Sequence, residues 1–270
     1  MSRARWADRS FSWATGAAVG LLSCYVVLLI ASQAAHLSPT SAWHSLASPA
    51  VLGAVWLTLL SATAASVLGL LIAVPAAYVL ARRQFRGKHL LDALIDVPVM
   101  LSPIALGTAI LMALNTGPGQ RLEEWVGPVS FAFPGIVLAQ FTVVSALAVR
   151  LMKATFEGIN PRHEQVARSL GCTKPQAFFR VVLPLARRGL LAAFILTWAR
   201  AAGEFGATVT VAGALTGRTV TIPIAIHLSL AAVDLERAAL LTLLLVCVSL
   251  AVLIGVRALG TRDLAHDLRP

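Results

Sequence analysis

The segment Asn160–Pro184, NPRHEQVARSLGCTKPQAFFRVVLP, is polar and basic in a chain that is otherwise apolar. Asn160 is a good helix N-cap, and Pro161 at the first helical position loses nothing by lacking an N–H. Arg162 to Leu170 contains no breaker. Val166 and Leu170 share one face at i, i+4, with Ala167 beside them. Gly171 stands where a left-handed residue would stop the helix. Thr173 and Gln176 have the spacing of a capping box, with Pro175 between them. A second helix then runs through Phe178, Phe179 and Val182 until Pro184 breaks or bends it. Two short helices at a sharp angle, one with a small apolar face, predict a protruding knob that a partner in the aqueous phase can grip.

The rest of the chain sets that knob at a membrane surface. The composition is 58% hydrophobic and 13% charged, with a mean hydropathy of +0.81, outside the range of soluble domains. A hydrocarbon layer about 30 Å thick needs about 20 apolar helical residues. Such stretches fall at 13–35, 51–81, 93–114, 133–152, 189–211 and 238–259. Six spans are predicted; Pro98, Pro103 and Pro134 interrupt the starts of the third and fourth. The first span follows Arg3, Arg5 and Arg9 and exceeds the length of a signal peptide, so it reads as an anchor. Gly16 and Gly20 give it a GxxxG pattern suited to close helix packing.

With both termini inside, eighteen of the 22 Lys and Arg fall on the cytoplasmic side. They include Arg82, Arg83, Arg86 and Lys88, the run from Arg150 to Arg188, and Arg257, Arg262 and Arg269. Only Arg121, Arg218 and Arg237 fall outside, and Arg200 lies within a span. This asymmetry follows the positive-inside rule. It also accounts for the net charge of +10 through basic loops facing anionic lipid. Nucleic acid is excluded as a partner, because no charged folded surface carries aromatic platforms.

Catalytic signatures are missing. Cys24, Cys172 and Cys247 are isolated, and no His/Cys grouping has metal-ligand spacing. No GxSxG elbow or HExxH pair occurs. Gly117-Pro118-Gly119 does not lead into a Lys-Ser or Lys-Thr, so a P-loop is absent too. If transport is driven by ATP, another chain must hydrolyse it.

Arg200 and Glu204 are the charges expected deepest in the bilayer. At 1.5 Å per residue from Gly189, Arg200 lies roughly 16 Å in, where a lone charge costs about 3 kcal/mol or more. The i, i+4 spacing lets the two neutralise each other, either as a purely structural pair or on the wall of a water-filled path. Ala199, Gly203 and Ala207 form one small-residue row, and Ala202 and Gly206 another. Thr208 and Thr210 continue outward and could hydrogen-bond a polar solute or their own backbone carbonyls. Ile222 to Leu230 is too short to cross and reads as an interfacial helix. Asp234 and Glu236 then favour the start of the sixth span.

The loop resembles that of ABC-importer permeases: EAA, three residues, Gly, nine residues, then Ile-x-Leu-Pro. Gln165-Val166-Ala167 takes the EAA place, Gly171 the glycine and Val181-Val182-Leu183-Pro184 the end; Glu164 can supply the displaced acid. Gly203-Glu204-Phe205-Gly206-Ala207-Thr208, Arg218-Thr219-Val220-Thr221-Ile222-Pro223, and Pro98 to Pro103 followed by Gly107 are similar to the molybdate, tungstate and sulfate group, most of all to molybdate permeases. The resemblance implies an all-α integral membrane fold of the type I importer kind, with six spans and cytoplasmic termini. It implies an anchor region (1–50), a permease core (51–259) with a coupling loop at 153–188, and a cytoplasmic tail (260–270). Glu164, Gln165, Val166, Ala167, Leu170, Gly171, Leu183 and Pro184 would form the coupling element. Arg200, Gly203, Glu204, Gly206 and Thr208 would line or gate the path. Implied partners are a second copy, a cytoplasmic ATPase dimer carrying the ATP and Mg, an extracytoplasmic oxyanion-binding protein and membrane lipid. This chain itself would bind no cofactor. The location would be a bacterial or archaeal plasma membrane. A secondary transporter and a membrane-embedded enzyme are the competing classes.

Overall fold

The computed structural model describes residues 2–37 and 45–266, with side-chain surroundings for 13–37 and 45–257. Arg269 and the end of the expected tail lie outside those residues. Among the described residues the chain is helical throughout. Helices α1 (Ser2–Ala34), α2 (Pro49–Arg82), α3 (Lys88–Met100), α4 (Pro103–Leu114), α5 (Gly117–Val126) and α6 (Phe133–Glu157) come first. After them come α7 (Arg162–Ser169), α8 (Lys174–Ala177), α9 (Arg187–Ala202), α10 (Gly206–Ala212), α11 (Ile222–Ala231) and α12 (Leu235–His266). The helix α12 carries on into the stretch expected to be a tail.

Four helices, α1 over Trp13–Ala34, α2, α6 and α12 over Leu235–Arg257, are long and apolar enough to cross a membrane. Two further spans are broken: α3 and α4 meet at 110°, and the Lys174–Leu185 segment meets α9 at 69°. Six crossings are reached only if each bent pair counts as one. The 110° corner has a sequence cause. Pro103 disfavours helix in the residue before it, and the Ser102 side chain caps the new helix by accepting from the Ala105 N–H.

Parallel α2 and α6 form the spine. They touch closely at Gly69, where an added Cβ would sit 3.5 Å from Val144. At one end, the loop end, Leu80, Met152, Phe156, Val182 and Ala186 pack together. Ala62, Val144, Trp198 and Ala201 fill the middle, where the Trp198 indole N–H donates to Thr63 Oγ1 at 3.0 Å. Leu106, Val129, Ala139 and Val211, and separately Val51, Ala54, Ile222 and Leu241, close the far end. Many other large apolar side chains face outward, among them Leu52, Trp56, Leu71 and Ile72, and the α1 span has no buried residue. That is the arrangement for a solvent of hydrocarbon, in which close packing rather than burial from water joins helices.

Two expectations need correction. Helix α11 is not simply interfacial: Ile222 and Ile224 are fully buried, and the Ile222 N–H donates to Thr58 Oγ1 at 2.9 Å. The GxxxG glycines of α1 meet nothing within 4 Å in this chain, so that face takes no part in its packing.

Candidate functional site

At the loop end, the knob forms as its residues dictate. Asn160 Oδ1 accepts from the Arg162 N–H at 3.0 Å and opens α7. Gly171 closes it at φ +94°, with the Cys172 N–H reaching back to the Ala167 carbonyl at 3.1 Å. Both halves of the Thr173–Gln176 capping box are made. The second helix departs from expectation. It slips into π register over Phe178–Val182 and continues through Leu183–Leu185 before turning at Ala186. Pro184 lacks the N–H that the normal ladder requires, and a π turn absorbs the missing bond. Leu183 and Pro184 therefore sit inside the helical segment rather than at its break.

On the surface of α7, Val166 is 58% and Leu170 81% exposed, while Ala167 is buried. The knob is held from behind. The Tyr78 hydroxyl donates to Glu164 Oε1 at 2.7 Å, and Arg82 Nη2 donates to the Ile159 carbonyl at 2.8 Å. The Tyr78 ring meets Phe178 edge-on at 4.7 Å and Phe156 at 5.8 Å. Tyr78 was not anticipated, because 86 residues separate it from Glu164 and an aromatic residue near a span end is ordinary. Also missed were the pairs Arg150–Asp96, at 2.6 Å, and Lys153–Asp92, at 2.8 Å. They fasten α3 to α6. The i, i+4 spacing of Asp92 and Asp96, facing a helix with Arg150 and Lys153 near its end, was the available signal.

The second region lies at the break between α9 and α10. Arg200 Nη1 and Glu204 Oε2 are 2.6 Å apart, with the side chains 41% and 2% exposed. They do not share a continuous helix as expected, since α9 ends at Ala202 and Gly203 caps it. Glu204 also serves the backbone, its Oε1 accepting from the Ala207 N–H at 3.1 Å. One carboxylate thus answers a cation and satisfies a free donor at the start of α10.

The predicted small-residue rows are likewise split. Gly206 and Ala207 belong to α10 and pack on α4. A Cβ on Gly107 would lie 2.9 Å from Ala207 backbone, and one on Gly206 would lie 2.9 Å from Pro103 Cβ. Thr210 bonds its own backbone, donating to the Gly206 carbonyl at 2.7 Å. Thr208 Oγ1, Ser66 Oγ and both amide atoms of Gln140 are buried with no partner. Each such atom costs about 1–3 kcal/mol if left so.

At the far end, Glu123 Oε1 accepts from the N–H groups of Ser130 at 2.7 Å and Val129 at 3.1 Å. The Ser130 backbone bond, then its hydroxyl, hold the Glu123 carboxyl below its ordinary 4.5. The next residue, Phe131, has φ +56°, and its N–H donates to the Val211 carbonyl at 3.1 Å. The loop before α6 is thereby tied to the end of α10.

No group of His, Cys, Asp and Glu among the described residues has the makings of a metal site.

Comparison with known proteins gives a consistent picture. Residues 65–262 match the family described as the binding-protein-dependent transport system inner membrane component. A probable molybdenum ABC transporter permease protein of Haloferax volcanii is 35% identical over 243 residues, 90% of this chain and 88% of that one. The molybdenum transport system permease protein of Escherichia coli is 36% identical over 180 residues, 64% of this chain and 78% of that one. The sulfate transport system permease protein of the same organism is 31% identical over 248 residues, 90% of each. Among solved structures, a bacterial ABC transporter involved in the import of the acidic polysaccharide alginate superposes with a TM-score of 0.75. It covers 95% of this chain and 98% of that one at 16% identity, a likeness of fold alone.

Proposed function

Because the chain belongs to the family of binding-protein-dependent transport system inner membrane components, we propose that it is the path-forming permease of an ATP-driven importer for molybdate. The observation that carries the coupling half of this reading is the exposed Val166–Leu170 face on a helix anchored by Tyr78. Adjacent apolar side chains held out on a rigid, polar loop are the kind of surface a protein partner covers. In this reading the loop end is cytoplasmic, as are both termini, and the partner is a separate ATPase that carries the ATP and Mg. Similarity to molybdenum permeases from an archaeon and a bacterium supports the choice of oxyanion.

Two copies pack around a central path, and a binding protein delivers the anion to the far end. ATP-driven closure of the ATPase dimer draws the two knobs together. The anchor at Glu164 passes that motion to α2, and the Ala186 bend passes it to α9. The Arg200–Glu204 pair then sits at the wall of the path. Arg200, partly exposed, attracts a dianion, while Glu204 offsets its charge and keeps the path from becoming a trap. Tight binding would slow exit.

The test is a reconstituted complex with its binding protein, in which ATPase stimulation is measured with molybdate, tungstate and sulfate. Molybdate is expected to stimulate at the lowest concentration. A permease for sulfate is the second reading, favoured by the sulfate permease that matches 90% of both chains. Stimulation by sulfate alone would establish it. Uptake driven by an ion gradient without any ATPase would defeat both.

A further inference from the structure

A cavity of about 510 Å³ lies beside the knob, between the last turns of α2 and the start of α8. Four cations line it, Arg82, Arg83, Arg168 and Lys174, against the single carboxylate of Glu164. That carboxylate is already engaged by Tyr78. No ion pair among the described residues engages Arg83, Arg168 or Lys174. Arg82 spends Nη2 on the Ile159 carbonyl, and its Nε is buried without a partner. The cavity therefore has a surplus of positive charge and unspent donors.

Its position separates it from the docking face. Glu164 and Arg168 are i, i+4 on α7 and line it, whereas Val166 and Leu170 do not. Two residues along a helix turn about 200°, so the cavity and the apolar face lie on opposite sides of α7. A partner seated on Val166 and Leu170 leaves the cavity open toward α2.

The remaining walls are apolar, with Val79 and the 64% exposed Phe179 among them. The apolar surface does not end there. Leu68, Leu71 and Ile72 lie one to three turns back along α2 and are 45%, 66% and 56% exposed. With Val79 they form a continuous stripe at helical spacing, leading from the cavity toward mid-membrane. A ligand that satisfies both halves is an anion at one end and hydrocarbon at the other.

We infer that this cavity holds the headgroup of an anionic phospholipid, its phosphate on the Arg82–Arg83–Arg168–Lys174 cluster and an acyl chain along the α2 stripe. Guanidinium forks suit phosphate oxygens in bidentate fashion, and basic pockets between spans on the cytoplasmic side take such headgroups. A zwitterionic headgroup fits less well, because its cation would find only the Glu164 carboxylate, which Tyr78 already occupies. A free inorganic anion would leave the stripe unused. The lipid would bridge α2 and α7, so the anchor that holds the knob would depend on membrane charge. The inference depends on the proposed topology only for the choice of leaflet, and it is independent of the transported anion.

Native mass spectrometry of the purified full chain with phosphatidylglycerol or phosphatidylcholine tests it. Wild type is expected to retain phosphatidylglycerol and to release phosphatidylcholine. Arg83→Gln/Lys174→Gln should retain it roughly thirtyfold more weakly, from the usual contribution of two surface cations. Arg86→Gln/Lys88→Gln, which removes two nearby cations outside the cavity, should behave as wild type. Equal retention by the first variant, equal loss from the second, or displacement by excess inorganic phosphate would each overturn the inference. Melting in detergent identifies a misfolded variant. In that event, a photoactivatable phosphatidylglycerol on wild type decides: label on residues 75–83 and 174–179 supports the site, and label confined elsewhere overturns it.

Discussion

The Tyr78 hydroxyl donates a 2.7 Å hydrogen bond to Glu164 Oε1, joining the last turns of α2 to the first turn of α7. Arg82 holds the base of the knob through the Ile159 carbonyl, whereas the Tyr78 bond reaches a side chain of α7 itself and so bears on the orientation of that helix against the bundle. Tyr78→Phe keeps the ring contacts with Phe156 and Phe178 and removes only the donor. Substrate moved per ATP hydrolysed, measured in proteoliposomes, should fall while membrane insertion is unchanged. The size is bounded by the worth of a hydrogen bond to a charged group, about 1.5–3 kcal/mol. An unchanged transport-to-hydrolysis ratio would show that the bond carries no force.

Gly171 acts through its backbone alone. Its φ is +94°, and an added Cβ would meet nothing within 4 Å, so substitution cannot clash. Gly171→Ala should cost about 1–2 kcal/mol through the left-handed conformation, and Gly171→Asn less. Retention of the ATPase on the purified permease is expected to rank glycine, asparagine, alanine. Equal retention by all three would remove the claim that this turn sets the docking geometry.

At the α9–α10 break, the two members of the ion pair are not equivalent. Arg200→Met strands a carboxylate that is 2% exposed. The loss of one partner of a fully buried pair costs about 3–5 kcal/mol, and less here because Arg200 is 41% exposed. Glu204→Gln keeps an oxygen for the Ala207 N–H and should be the milder change. Thermal unfolding in detergent should therefore place Arg200→Met below Glu204→Gln, and the reverse order would contradict the dual role of Glu204.

Glu123 gives a dependence on pH. Its carboxyl is depressed in the fold by the Ser130 amide, so its stabilisation is complete above the unfolded value. It is lost as pH falls through the folded value. Acidification should release the 127–132 loop, and Trp125, 91% exposed nearby, reports on it. Its fluorescence should change with a midpoint below the ordinary 4.5, and Glu123→Gln should abolish that transition. A midpoint at or above 4.5 would rule out the clasp.

Much of this architecture was legible in the chain. The Asn160 start, the Gly171 stop and the Thr173–Gln176 box are local signals, written within four residues, and each took its expected form. Periodicity and length located the apolar spans. What could not be read was anything fixed by tertiary packing. Pro103 marked an interruption near Ser102, and Gly203 lies between Arg200 and Glu204, but neither signal gives the angle at which the chain resumes, and hydropathy measures composition rather than axis. Arg200 and Glu204 were read as helical neighbours because i, i+4 spacing fits a helix. A chain that leaves the helix can still bring the same two side chains together. Tyr78 and Asp96 take part through contacts across long stretches of sequence.

The central claim is that Val166 and Leu170 are covered by an ATP-hydrolysing partner. A photo-crosslinking residue at position 170, with a control at 125 on the far end, tests it in the assembled complex. The account predicts an adduct with the ATPase subunit from position 170 and none from 125. If the ATPase co-purifies yet is captured from neither position, or equally from both, the docking assignment is wrong.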